Sequence, residues 1–202
     1  MAESFDEWET KKVENGYHKE FGQWAERDLV NLVRRFRNNP SVVMWCIGNE
    51  VPDQWNGDRG PKLSLRLQNI CHREDPTRPV TQGMDTPDAV TANNMAAVMD
   101  IPGFNYRPHL YARNYLRLPQ EMILGSETST ISSRGIYKFP VVRRSMPRYD
   151  DHQASSYDVE HCGWSNLPED DFIQHDDRPY CMGEFVWTGF DYLGEPTPYY
   201  SD

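Results

Sequence analysis

Arg37-Asn38-Asn39-Pro40-Ser41-Val42-Val43-Met44-Trp45-Cys46-Ile47-Gly48-Asn49-Glu50 is the stretch whose reading decides the fold of this chain. A proline turn opens it, an apolar run follows, and a carboxylate closes it. An apolar run buried on both faces reads as a strand of a parallel sheet, and the C-terminal edge of such a sheet is where α/β architectures place their chemistry. Met122-Ile123-Leu124-Gly125-Ser126-Glu127 repeats the pattern further along. Two carboxylates ending separate strands suggest an acid/base and a nucleophile facing each other across one sugar ring. Pattern alone leaves a second reading open, in which both glutamates cap following helices or pair with arginines.

Working outward, Phe21, Trp24, Ala25, Leu29, Leu32, Val33 and Phe36 recur at helical spacing and predict a helix over Gly16 to Arg37, stopped by Asn38-Asn39-Pro40. The strand Val42 to Gly48 follows. A second helix is predicted over Lys62 to Glu74, with Leu63, Leu65, Leu67 and Ile70 as its apolar contribution. Pro79 to Gly83 starts a strand, Ala89 to Met99 is helix-prone, Ile101 to Tyr106 is a strand, and Leu110 to Leu118 is a further candidate helix. Glu121 to Ser126 and Cys181 to Phe190 are the last two strands. Strands alternating with helices predict βα units and a parallel sheet. Between Ser129 and Tyr180 the periodicity fails, and Tyr149, Tyr157 and Trp164 favour an ordered loop there.

The 202 residues suffice for one domain with a core. Hydrophobic content of 38% and a mean hydropathy of −0.80 exclude a membrane-spanning helix, while 12% aromatics suit a wide polar cleft, where sugars stack on rings. A net charge of −10 argues against nucleic acid, which is bound through clustered Lys and Arg. The four cysteines show no CxxC spacing and no histidine at metal-ligand intervals, so a reduced, buried Cys46 is expected and neither metal nor cofactor is predicted. Met1-Ala2-Glu3-Ser4 begins without the basic and apolar regions of a secretory signal. A soluble protein is expected, cytoplasmic or periplasmic in its parent form.

The stretch from Arg37 to Glu50 closely resembles the acid/base motif of glycoside hydrolase family 2, and most nearly that of its bacterial β-galactosidases. Ile123 to Ser129 resembles the family's nucleophile strand, and Gly183-Glu184-Phe185-Val186-Trp187 onward to Tyr199 is similar to its last barrel strand and following loop. Phe5-Asp6-Glu7-Trp8 and Gly103-Phe104-Asn105-Tyr106 fit as well, in the family's order over essentially the whole chain. The resemblance implies an α/β fold, a (β/α)8 TIM barrel that is incomplete here, running from about the end of strand 3 through strand 8. It makes residues 1–202 one partial catalytic domain with a long active-site loop at about 130–180. It implies Glu50 as acid/base and Glu127 as nucleophile. It also implies Asn49 bonding the sugar 2-hydroxyl, Tyr106 donating to the nucleophile, and Trp187 flooring the sugar subsite. His109 and Glu184 read better as a loop histidine and a sheet-edge glutamate. Some family members hold Mg²⁺ with a glutamate and a histidine after strand 3, but Glu3 to Trp8 offers carboxylates and no histidine.

A complete barrel takes about 250 residues. The resemblance therefore implies that earlier strands and the family's other domains are missing. Open parallel edges would make such a chain misfold, self-associate or need a partner. The partners implied are a β-galactoside substrate, the missing strands or parent domains, and a possible homo-oligomeric copy, with no nucleic acid and no membrane. Two readings follow: the catalytic segment of a retaining β-galactosidase, or a truncated, inactive structural or carbohydrate-binding piece. Within the enzyme reading, β-glucuronidase or β-mannosidase is the alternative. The family's glucuronide-recognising Asn-x-Lys element would lie beyond Asp202, and Gly194-Glu195-Pro196-Thr197-Pro198-Tyr199 favours galactosidase.

Overall fold

Phe21, Ala25, Leu29 and Val33 fall four residues apart, so one stripe of a helix can be buried while Glu26, Arg27 and Arg34 stay in water. In the computed structural model that helix is α1, His18–Phe36, and those four side chains are its buried ones. The structure describes residues 1–129, 137–145, 149, 150, 155, 157, 159–161 and 163–188. Six parallel strands alternating with helices form an α/β partial TIM barrel. The chain divides into two units, Met1–Leu124 and Gly125–Asp202.

In the first unit β1 (Ala2–Glu3), β2 (Trp45–Asn49), β3 (Val80–Met84) and β4 (Ile101–Asn105) lie side by side in chain order, all parallel. α1 packs against α2 (Arg59–Glu74) outside them, and shorter helices α3 (Pro87–Ala92) and α4 (Tyr111–Tyr115) follow β3 and β4. Trp45, Cys46, Ile47, Val80, Met84, Ile101 and Phe104 are buried with Leu29, Leu67 and Trp8. Between Cys46 and Asn49 the pairing with β3 slips: Cys46 faces Thr81 but Asn49 faces Gly83, so β2 carries one residue more than its partner. Such bulges re-aim side chains next to functional sites.

Several element boundaries differ from the sequence reading. Val42 and Val43 precede the strand, with Val43 56% exposed. Val42 N–H donates to Asn39 at 3.1 Å and its carbonyl accepts from Arg78 at 2.6 Å, which keeps this segment as a turn. α2 starts three residues earlier than predicted, and Leu65 faces water because positions 63, 67, 70, 71 and 74 share the buried face. The helix predicted to run to Met99 ends at Ala92. Asn94 is left-handed at φ 67°, and Asn93 Oδ1 accepts Met95 N–H at 2.9 Å, a local turn that competes with helix. The described cysteines Cys46, Cys71 and Cys181 are free thiols, with Cys46 and Cys71 buried.

The second unit holds most of β5 (Ile123–Thr128), then β6 (Arg144–Ser145), β7 (Glu160–His161), α5 (Pro168–Asp176) and β8 (Cys181–Val186). β6 and β7 pair in parallel as a small separate ribbon. α5 lies in the stretch where the sequence shows no periodicity. Its first turn carries Glu169, Asp170 and Asp171 behind Pro168, the charge and proline placement that favour a helix start. Gly194 to Tyr199, on which the sequence preference for galactosidase rests, lies outside the described residues, as do Cys162 and Phe190.

Candidate active site

β2 delivers Glu50 by ending one residue before it. Glu50 is left-handed at φ 46°, and its N–H donates to the Gly83 carbonyl at 2.9 Å. The same turn recurs at two other strand ends: Tyr106 (φ 55°) follows β4 and Ser129 (φ 46°) follows β5. Non-glycine residues are uncommon in this region and cluster at functional sites, where the surroundings compensate their cost of about 1–3 kcal/mol each.

Asn105, the last residue of β4 and fully buried, joins the predicted residues. Its Nδ2 donates to Asn49 Oδ1 at 2.7 Å and to Glu50 Oε1 at 2.9 Å. Asn49 Oδ1 is thereby turned toward Asn105. Gly83 makes the room: a Cβ there would lie 2.5 Å from Asn49 Oδ1 and 2.9 Å from Asn105 Oδ1. Burial pushes the Glu50 carboxyl above its ordinary range. The Asn105 hydrogen bond opposes this, Asp85 and Asp6 add to it, and Lys12 opposes it. A half-buried carboxyl favoured in its neutral form is what a general acid requires.

Glu7, singled out in sequence only as part of Phe5-Asp6-Glu7-Trp8, organises the loop after β1. Its carboxylate accepts the backbone N–H groups of Lys12, Val13 (3.0 Å) and His18 (2.9 Å), and lies 3.0 Å from His18 Nδ1. Burial would raise this carboxyl, but the hydrogen bonds from His18, Lys12 and Val13 outweigh it and hold it at about 2. Trp8 Nε1 donates to the Ile47 carbonyl at 2.9 Å, which fixes the loop against β2.

In the second unit, Glu127 is the fifth of the six β5 residues and half-buried. Thr128 beside it donates to Glu184 Oε2 of β8, and its carbonyl accepts Trp187 N–H at 2.9 Å. Trp187 follows β8 directly rather than lying in the strand, and is 42% exposed. Ser129 is held by Asp171 of α5, which accepts its N–H at 2.9 Å and its hydroxyl at 2.8 Å. Gly125 packs so closely that a Cβ would sit 2.9 Å from His175 and 3.0 Å from Glu184. His109 is exposed in the turn Pro108–Leu110, and Glu184 bridges β8 to β5. Among the described residues no cluster of three His, Cys, Asp or Glu is arranged to hold a metal ion.

The sequence also matches the TIM barrel domain of the glycosyl hydrolases family 2 over residues 1–130, a span that contains Asn49, Glu50, Tyr106 and Glu127. The chain belongs to glycoside hydrolase family 2. This family 2 chain is 34% identical over 238 aligned residues to a beta-galactosidase of Bacteroides ovatus, covering 98% of the chain and 28% of that protein. It is 25% identical over 185 residues to a beta-glucuronidase of Bacteroides fragilis, covering 85% of the chain and 24% of that protein. The crystal structure of a beta-glycosidase from Bacteroides vulgatus superimposes with a TM-score of 0.75 at 28% identity, over 95% of the chain and 27% of that structure. The chain thus spans about a quarter of the length of these relatives. No helix among its described residues is long and apolar enough to cross a membrane.

Proposed function

We propose that this family 2 domain carries the catalytic pair of a retaining β-glycosidase acting on terminal β-D-galactosides. The observation that carries the reading is Glu50 on its left-handed turn, with a carboxyl that burial favours as the neutral acid and an asparagine bonded to both it and Asn49. In the first step the Glu127 carboxylate attacks the anomeric carbon. The bond from that carbon to the leaving oxygen breaks, and that oxygen takes the proton of Glu50. In the second step ionised Glu50 removes a proton from water, the water oxygen attacks the same carbon, and Glu127 leaves as carboxylate. Inversion twice returns the β configuration.

Asn49, its Oδ1 committed to Asn105, presents its amide N–H₂ to the sugar 2-hydroxyl. Tyr106 is assigned the role of hydrogen-bond donor to the nucleophile, and Trp187 that of the ring for the C–H face of the sugar, as the family resemblance implies. Galactose is preferred because the 34% identical relative is named a beta-galactosidase. β-Glucuronide is the second reading, since a 25% identical relative is named a beta-glucuronidase.

Hydrolysis of aryl β-D-galactoside and aryl β-D-glucuronide by the chain, beside Glu127→Gln, tests the proposal. The expected result is turnover of the galactoside that falls by several orders of magnitude in the variant, with β-galactose as first product. Equal turnover in Glu127→Gln, or α-galactose as first product, would contradict it.

A further inference from the structure

The peptide plane joining Asn49 to Glu50 is held from both sides. Its N–H, that of Glu50, donates to Gly83. Its carbonyl, that of Asn49, accepts the Lys12 ammonium at 3.2 Å. The same ammonium donates to Asp6 Oδ1 at 2.8 Å. An ordinary lysine–aspartate pair at a surface contributes little and wanders. Lys12 differs in two ways: its side chain is 27% exposed against 67% for Asp6, and its own backbone N–H is tied to Glu7. The root of the side chain and its tip are both fixed, and the tip lies on the carbonyl that precedes the left-handed residue.

We propose that Lys12 is a positioning residue for Glu50: braced by Asp6, its ammonium ties the loop after β1 to the strand end bearing the acid/base and supplies a positive charge there. The inference rests on reading Glu50 as the acid/base. The groups of the first unit that act on Glu50 are Asp6 and Lys12 from the loop after β1, Asp85 after β3, and neutral Asn105 from β4. Lys12 is the cation among them. It offsets burial and the two aspartates, so the carboxyl can act as acid in one half-reaction and ionise for the other. A single ammonium acting on a partly buried carboxyl moves its titration by about several tenths of a pH unit.

The test is a pH titration of the Glu50 side-chain carboxyl by ¹³C NMR in the full chain, assigned by its loss in Glu50→Gln. Lys12→Met should raise the midpoint by about 0.5 pH unit, Asp6→Asn should lower it by about as much, and Lys12→Arg should leave it near wild type. A merely structural role predicts no such opposition of sign. An unmoved midpoint in Lys12→Met, or shifts of the same sign in Lys12→Met and Asp6→Asn, would overturn the proposal. If Lys12→Met does not fold, the pair Asp6→Asn and Lys12→Arg decides: a lowered midpoint in the first with the second unmoved supports it, and any other result refutes it. The titration needs no turnover, so it is separate from the acid/base reading, whose failure would show as undiminished hydrolysis in Glu50→Gln.

Discussion

Asn105 illustrates how much of this site one side chain decides. Its Nδ2 serves both Asn49 and Glu50, so it fixes the amide orientation of one and steadies the charged form of the other. Removing that donor while leaving Glu50 buried should push the carboxyl further up. Asn105→Ala is expected to raise the Glu50 midpoint by about 0.5–1 pH unit, the equivalent of one lost hydrogen bond to a carboxylate, measured by carboxyl NMR titration. A lowered or unchanged midpoint would show that the bond contributes nothing to the ionised form. The sequence puts Asn49 and Glu50 forward as candidates because an apolar run leads straight into them. Asn105 does not stand out in the sequence, although it occupies the matching place: the last residue of a strand, followed by a left-handed residue, Tyr106, as Asn49 is followed by Glu50. Asn in a strand is unfavourable by propensity, and two such strand ends, Asn49 and Asn105, were the available signal.

Strand β3 contributes an absence of side chain. Gly83 sits opposite Asn49 because β2 has gained a residue between Cys46 and Asn49, and a methyl group there would press on both asparagines. Gly83→Ala is expected to lower stability by about 1–3 kcal/mol and to displace the Asn49 side-chain amide. Chemical denaturation and the amide resonances check this, and an unchanged unfolding midpoint with unshifted resonances would refute it. At this scale the sequence conveys the strand but hides the bulge, since an apolar run buried on both faces has no alternation to betray a slipped register. It hides α5 for a different reason. That helix is built on a proline and three acids in its first turn, and what it offers β5 is polar: Asp171 holding Ser129 two residues beyond Glu127. Hydrophobic periodicity does not see such a helix. α1, with four core residues at fourfold spacing, was legible almost to its ends.

Over the whole molecule, charge and hydrogen bonding make stability depend on pH in a definite sense. Glu7 is held at about 2 in the folded protein, below the value of about 4.3 for an unfolded glutamate. A group lowered on folding stabilises above its unfolded value, and that stabilisation is lost as pH falls toward the folded one. Unfolding free energy should therefore decline between about pH 5 and pH 2, and Glu7→Gln should flatten that slope and cost about 1.5–3 kcal/mol at neutral pH. Denaturation at a series of pH values measures both, and an unaltered acid slope in the variant would count against the role of Glu7. The chain spans about a quarter of the length of its relatives, and its fold class followed from the order of strand-end motifs more than from composition. Covalent trapping tests the proposed nucleophile, Glu127, most directly. The chain would be incubated with a 2-deoxy-2-fluoro-β-galactosyl fluoride, whose glycosyl-enzyme turns over slowly, then digested and mapped by mass spectrometry. The expected result is one sugar per chain, on Glu127. A sugar on any other residue, or no adduct at all, would contradict it.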